Sequence, residues 1–252
     1  GGRESLNALP GTPGWENVYR IRVGEELGNF YGFVIDGVIK NQEQLSANPQ
    51  WPGSGVGDYQ IRDVNQDGAI NESDRTLLGN GFPKLNYGLT NSLTYGDFDL
   101  SFIIQGVGQN HIINGASRHT ELWAGRFNAV KEMANNYFDP ANPDREVKYA
   151  RVGPRSGFGT ASNLHSYAVY NGAFLRVRNV TLGYTLPGSL VKKLSLSAAK
   201  LYVTAQNLLT FTKYPGFNPE PSQYGETVYQ PGSDQATYPV NRSVMLGLNL
   251  SF

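Results

Sequence analysis

The sequence has no cysteine. That excludes a disulfide framework, a thiol nucleophile and any zinc site built on thiolates. Neither charge is in excess: 21 basic and 21 acidic residues leave a formal net charge of zero. The electrostatic basis for binding nucleic acid or an anionic membrane surface is therefore missing. Charged residues are few, 17%, against the ~25% usual in a soluble domain. No apolar run approaches the ~18 residues that read as a transmembrane helix. The chain opens Gly1-Gly2-Arg3-Glu4-Ser5, with neither an initiating methionine nor an apolar export segment. An exported protein with such a start is expected to be a mature form or a piece of a longer polypeptide. Glycine, in contrast, is abundant at 30 of 252, and aromatics reach 12% with 15 tyrosines. Few charges beside many Gly and Tyr point to a β-rich protein of an outer membrane or a cell exterior.

Hydrophobic alternation gives the strands. From 240 to 252, Val240, Val244, Leu246, Leu248, Leu250 and Phe252 share one parity, with Arg242 among them. Asn241, Ser243, Met245, Gly247, Asn249 and Ser251 share the other. A period of two predicts a strand with one apolar and one small or polar face. Residues 201–212 alternate likewise, with Asn207 breaking the apolar face once. Residues 87–95 and 98–105 alternate on either side of Gly96-Asp97, a tight hairpin turn. Between 173 and 186 the apolar parity switches from Leu175 and Val177 to Val180, Leu182, Tyr184 and Leu186, which predicts a β-bulge near Arg178-Asn179. Residues 18–39 read as a further strand, interrupted over 24–28.

About six strands result, several longer than the 5–6 residues usual in globular proteins. A strand crossing the hydrocarbon needs about 9–11. The connectors sort by length. Counted back from the end, they are long (213–239), short (187–196), very long (113–172), minimal (95–97) and long (40–85). Outer-membrane barrels have this alternation of short periplasmic turns and longer extracellular loops. The predicted fold class is therefore all-β, an antiparallel transmembrane β-barrel fragment with its three long connectors outside the cell. The alternative is a soluble secreted β-sandwich binding module, whose apolar face would point into a core. Six strands are too few to close a membrane barrel. An open sheet in lipid would strand unpaired backbone groups. The chain is thus expected to oligomerise or to be part of something larger.

Candidate sites are few. Residues 63–74 place Asp63, Asn65, Asp67, the Ala69 carbonyl, Asn71 and Asp74 at the ligand positions of a 12-residue calcium loop, with Gly68 at the sharp bend. Aspartate at the twelfth position departs from the EF-hand glutamate and resembles the dockerin-type variant. The expected cofactor is a structural calcium ion; a metal-free Asx-type turn is the alternative. His111, His119 and His165 show no zinc-ligand pattern and read as loop residues. Glu121, Glu132 and Asp139 share the longest connector without the pairing a glycosidase acid/base couple requires. A cell-surface glycosidase is accordingly the weakest reading. The connector aromatics are better candidates for contacting a ligand: Trp123 and Phe127 in the longest connector, with Tyr137 and Phe138 beyond, and Tyr214, Phe217, Tyr224 and Tyr229 in the last one. Such rings stack on sugars, accept apolar peptide side chains and dock at interfaces. Residues 121–135 partly fit a short helix.

Three longer stretches resemble a known family. Asn29-Phe-Tyr-Gly-Phe-Val-Ile-Asp-Gly-Val38, Phe174-Leu-Arg-Val-Arg-Asn-Val-Thr-Leu-Gly-Tyr-Thr-Leu-Pro187 and Leu201-Tyr-Val-Thr-Ala-Gln-Asn-Leu-Leu-Thr-Phe-Thr-Lys-Tyr214 resemble motifs of the SusC/RagA-type TonB-dependent outer-membrane transporters, in the family's order. Asn218-Pro-Glu220, Tyr238-Pro239 and the terminal Phe252 extend the match. The resemblance implies that residues 1–252 form the C-terminal part of a large plugged barrel, with the plug domain and earlier strands lying elsewhere in the polypeptide. It also implies a non-enzymatic nutrient importer of the outer membrane. That importer would draw energy from the TonB complex through the plug, take a glycan or peptide substrate, and partner a SusD-type surface lipoprotein. Phe252 is, by the same resemblance, the aromatic end of the strand that the barrel-assembly machinery recognises.

Overall fold

The computed structural model describes residues 4–7, 17–121, 128–152, 158, 163–193, 195–221 and 230–252. Its first strands are β1 (Glu4–Asn7), β2 (Tyr19–Arg22), β3 (Asn29–Gly32), β4 (Ile35–Val38), β5 (Tyr59–Ile61) and β6 (Thr76–Asn80). There follow β7 (Leu85–Tyr95), β8 (Phe98–Gly108), β9 (His111–Asn114), β10 (Val169–Asn171), β11 (Phe174–Thr185), β12 (Ala198–Thr212), β13 (Ser233–Asp234) and β14 (Ser243–Ser251). Short helices are α1 (Gln42–Ala47), α2 (Ser117–Thr120) and α3 (Gly188–Lys193). Among the described residues no helix is long and apolar enough to cross a membrane, which says nothing of strands. The chain divides into two units. One holds residues 83–110, 171–219 and 238–252; the other holds 1–82, 111–170 and 220–237.

The first unit is a five-stranded antiparallel sheet in the order β14-β12-β11-β8-β7. Its strands have 9 to 15 residues. Directly paired residues lie on the same face, so the register assigns every side chain. One row runs Leu246, Val203, Leu182, Leu100, Leu93. The next, toward the Gly96-Asp97 turn, runs Leu248, Leu201, Tyr184, Phe98, Tyr95. On the other side lie Val244, Ala205, Val180 and Phe102, with Asn91 as the exception. The opposite face carries Met245, Thr204, Thr181, Ser101 and Ser92, where the Thr181 and Thr204 hydroxyls hydrogen-bond at 2.9 Å. Lys200 and Asp99 on that face pair at 2.7 Å across the intervening strand β11. Gly183 lies beneath that pair: a Cβ there would meet Lys200 Cε at 2.5 Å and Asp99 Oδ2 at 2.6 Å.

The parity switch has the expected cause. The register of β11 shifts between Val177 and Asn179 against both β8 and β12. Beyond the shift, Val177 pairs with Ile104 and Leu209, so apolar side chains resume on the same face. Asn207, the break in the alternation of β12, sits at the bulge with φ +50 and donates from Nδ2 to the Asn241 carbonyl at 3.1 Å. An asparagine accepts this left-handed geometry more readily than most residues. At the hairpin, Tyr95 pairs with Phe98 and Gly96 takes φ +57. Among the described residues β14 and β7 each have one neighbour, so the sheet has two free edges.

The second unit gathers most of the three long connectors and buries its apolar side chains in the ordinary way. One cluster holds Phe33, Ile35, Val38, Tyr59, Ile61, Ile70, Phe138, Ala150 and Phe158. Trp51, Phe33 and Phe158 meet edge to face, with centroids 5.3–5.4 Å apart. A second cluster joins Val18, Tyr19, Phe30, Ile113, Leu164 and Ala168. Here the strand expected over 18–39 breaks over 24–28 as the sequence suggested, and breaks again at Phe33-Val34, which the sequence did not suggest. The segment is three short strands, with Gly24 (φ +92) and Gly28 (φ +79) flanking the turn between β2 and β3. Of the six strands expected, five form the long sheet. The short helix expected over 121–135 is a single 3₁₀ turn at Lys131–Asn135 among the described residues.

Candidate functional site

The acidic loop connects β5 to β6 through a winding that its own side chains hold. Asp63 Oδ2 accepts from the Gly68 amide at 2.9 Å. Asn65, Asp67 and Asn71 each accept from the amide two residues on, at 3.0, 2.9 and 2.9 Å. These are Asx turns. Asp74, fully buried, accepts from Val64 through Oδ1 (2.9 Å) and from Asn71 through Oδ2 (2.8 Å), tying the two ends of the loop together. Gly68 takes φ +79 at the bend. Ile70 anchors the loop in the first core cluster.

All six predicted ligand positions thus sit on one turn and supply the hard oxygens that calcium prefers. Asp63 Oδ1 is enclosed and has no hydrogen-bond partner among the described residues. The other carboxylate oxygens accept amide protons, but each carries a second lone pair. Among the described residues no group of three or more His, Asp or Glu side chains is already gathered as a metal cage. Sequence reasoning missed Arg75, next after the loop. Buried, it bonds Asn163 Oδ1 at 2.7 Å and the Asn17 carbonyl at 3.2 Å, and its guanidinium lies 5.2 Å from the centre of the Phe33 ring.

The predicted aromatic contacts are not brought together as one surface. Trp123, Phe127, Tyr224 and Tyr229 lie outside the described residues. Tyr214 is buried, with only 4% of its surface exposed, so its ring offers little to a ligand in this conformation. Phe217 is 73% exposed. Phe138 belongs to the core and Tyr137 is half-buried. Phe252 follows β14 and is exposed.

The longest connector holds a charged cluster that the sequence did not reveal. Tyr149 donates to Glu132 Oε2 at 3.1 Å. Lys148 Nζ lies 3.6 Å from Glu132 Oε1 and donates to the Tyr149 and Tyr170 hydroxyls at 3.2 and 3.4 Å. Glu121 is buried beside them; burial pushes its carboxyl up to about 7, with Glu132 adding to the rise and Lys148 and Tyr170 opposing it. Burial also raises the Tyr149 and Tyr170 hydroxyls. Asp139 is not a member: it accepts from the Ala141 amide at 3.0 Å.

No family model matches the chain. It is 32% identical to TonB-dependent receptor P3 of Formosa agariphila over 252 residues, covering 98% of this chain and 24% of that protein. Against TonB-dependent receptor SusC of Bacteroides thetaiotaomicron the identity is 26% over 194 residues, 75% of this chain and 17% of that one. The chain belongs to the SusC/RagA-type TonB-dependent receptors. Its fold matches a chain of the RagAB peptide transporter structure with a TM-score of 0.71 and 21% identity, over 99% of this chain and 24% of that one. It therefore spans about a quarter of the length of receptor P3 and of the matched RagAB chain. The SusC/RagA family consists of receptors and transporters rather than enzymes.

Proposed function

We propose that this chain is the C-terminal wall and extracellular loop region of an outer-membrane importer. Its cargo is a glycan or a peptide and its energy arrives through TonB. A plug domain in the remainder of the polypeptide and a SusD-type surface lipoprotein complete the machine. One observation carries the reading: an apolar face that runs across all five long strands and is left exposed, opposite a face of hydroxyls and a salt bridge. Eleven residues at ~3.3 Å each, tilted by ~40°, rise just under 30 Å, enough to span the ~25 Å apolar band of an outer-membrane barrel. A β-sandwich would place a second sheet over that face. The test is uptake by cells carrying the full-length receptor, with and without a working TonB. Uptake that survives loss of TonB would overturn the import mechanism.

Within this reading the loop 63–74 holds one calcium ion, which pins the connector between β5 and β6; the ligands are Asp63, Asn65, Asp67, the Ala69 carbonyl, Asn71 and Asp74. The support is the order of the oxygen donors and the enclosed, unpartnered Asp63 Oδ1. Asp63→Ala with Asp67→Ala should raise protease sensitivity between residues 40 and 85 and lower transport only partly. Absence of calcium from the purified receptor, together with proteolysis unchanged by chelator, would leave the Asx turns alone as the explanation. Phe217 remains the exposed described aromatic for cargo contact, beside Trp123, Phe127, Tyr224 and Tyr229. Phe252 serves assembly.

A further inference from the structure

A groove of about 710 Å³ opens within the connector unit. Residues of β4 and α1 line it together with Gln60, Asn136, residues 146–148 and Tyr167. Its size falls in the ~300–1,000 Å³ range of small-molecule sites, but those are mostly lined by apolar side chains. This one is lined by four carboxamides, Gln44, Asn48, Gln60 and Asn136, with Val38 and Val147 as its aliphatic part.

The charges in the lining cancel. Asp36 and Glu146 stand against Lys40 and Lys148. Asp36 is already paired with Arg62, and Lys148 with Glu132. A charged cargo would therefore find no net opposite charge, and burying it would carry an uncompensated desolvation cost. An apolar peptide side chain would find little apolar surface.

Hydrogen-bonding capacity is what the groove has left over. Gln44 spends its Oε1 on the Lys40 amide at 2.8 Å, leaving its Nε2 donor. Asn48 spends Nδ2 on the Gln44 carbonyl at 3.2 Å, leaving Oδ1. Asn136 spends Oδ1 on the Lys148 amide at 2.9 Å, leaving Nδ2. Glu146 is exposed and makes no hydrogen bond or ion pair among the described residues. Tyr167 is half-buried and its ring is braced edge to face on Tyr59, 5.8 Å between centroids. Free donors and acceptors together with a braced aromatic ring match a chain of vicinal hydroxyls with C–H faces between them.

We propose that this groove binds a neutral oligosaccharide, and that sugar rather than peptide is the cargo class of this receptor. The inference rests on the import reading above and adds a site to it. Glu146 accepts from a pair of sugar hydroxyls, the free carboxamide groups of Gln44 and Asn136 donate to ring or hydroxyl oxygens, and Tyr167 supports one sugar face.

The test uses the full-length receptor purified in detergent. Its probes are a panel of neutral hexasaccharides of glucose, mannose, xylose and galactose in α and β linkage and, separately, a tryptic digest of casein. The double variant Glu146→Ala with Tyr167→Phe removes the free carboxylate and the Tyr167 hydroxyl while keeping the ring that packs on Tyr59. A hydrogen bond to a charged acceptor is worth roughly tenfold in affinity or more, so the double variant should weaken binding of the recognised sugar by at least that factor, with heat-modifiable mobility and protease resistance unchanged. Sugar binding that the variant leaves intact overturns the groove. Binding of casein peptides that the variant weakens overturns the sugar assignment in favour of peptide. Binding by neither probe class overturns the proposal. TonB dependence of uptake is measured in parallel in cells. Its loss strikes the import reading while groove binding in detergent still stands, so the two failures are distinguishable.

Discussion

The two units treat the same kinds of side chain in opposite ways. In the connector unit Phe30, Phe33, Ile39, Ile112 and Ile113 are sealed from solvent, at 0–1% exposure. In the sheet unit Leu246 is 76% exposed, Val244 66% and Leu248 56%, in rows continuous across five strands. Scattered exposed leucines need no explanation, but a contiguous apolar face does. The units are built for different solvents. Short strands that bury both faces close a core against water, while long alternating strands present one face to lipid. A sheet of one layer can be stable with its apolar side outward only where that side is never wetted.

That comparison can be broken from either end, and the largest effect belongs to the connector unit. Phe33→Ala empties the meeting point of Trp51, Phe158 and the Arg75 guanidinium, which should cost that unit about 3–5 kcal/mol. Limited proteolysis should then cut within residues 17–82 while the strands remain heat-modifiable in the outer membrane. Loss of both together would show that the units fold as one.

The sheet end has a cleaner control, because neighbouring residues face opposite ways at almost the same depth. Leu246→Arg should cost about 2–4 kcal/mol near the membrane midplane, and less nearer an interface. Met245→Arg, in the row of Thr204, Thr181 and Ser101, should cost little where the lumen is wet. Band-shift assays of outer membranes measure both, and equal tolerance would remove the lipid face.

A smaller effect, confined to the connector unit, comes from Glu121. Its carboxyl rises from 4.5 to about 7 on burial, so the folded unit holds a proton that the unfolded chain has released. Stability is therefore full below about pH 4.5 and falls as the pH rises toward 7. The loss is on the order of a few kcal/mol. Glu121→Gln should flatten this dependence, read as protease resistance of residues 128–152 at pH 5 against pH 7.5. A slope that survives the substitution would assign it elsewhere in the Lys148, Glu132, Tyr149 and Tyr170 cluster.

What the sequence disclosed divides along the same line as the units. A lipid-facing sheet writes its faces into alternation, so Leu246, Leu248 and Leu250, the Arg178 bulge and the Gly96-Asp97 turn were legible residue by residue. Fixed spacing made the 63–74 loop legible too. The connector unit writes no such period. Phe30 and Ile35 lie in strands too short for alternation to reveal the break between them, where Phe33 sits, so the sequence showed only the interruption over 24–28. Arg75 meets Asn163 across 88 positions and Tyr149 meets Glu132 across 17. The groove likewise joins residues near 40 to residues near 146. Such pairings follow from tertiary packing rather than from any local pattern.

The smallest effect on the folded molecule, and the sharpest on how it is made, concerns Phe252. It continues the parity of Leu250, Leu248 and Leu246, so it extends the apolar face by one residue past the end of β14. It packs against little and is 91% exposed, so deleting it should leave the stability of assembled receptor nearly unchanged. Among the described residues the edge of β14 away from β12 has no neighbouring strand, and such an edge can add to another sheet by β-augmentation, with an apolar end residue as its anchor. A factor that captures the final strand during insertion would use both features. Deleting Phe252 should therefore lower the amount of folded receptor in the outer membrane, while each molecule that assembles transports at the normal rate. A water-soluble sandwich would scarcely notice losing its last residue, since termini are usually frayed. Membrane levels unchanged by the deletion, with the protein folded in water, would overturn the membrane assignment of the sheet; reduced transport per assembled molecule would instead place Phe252 in the working barrel rather than in its assembly.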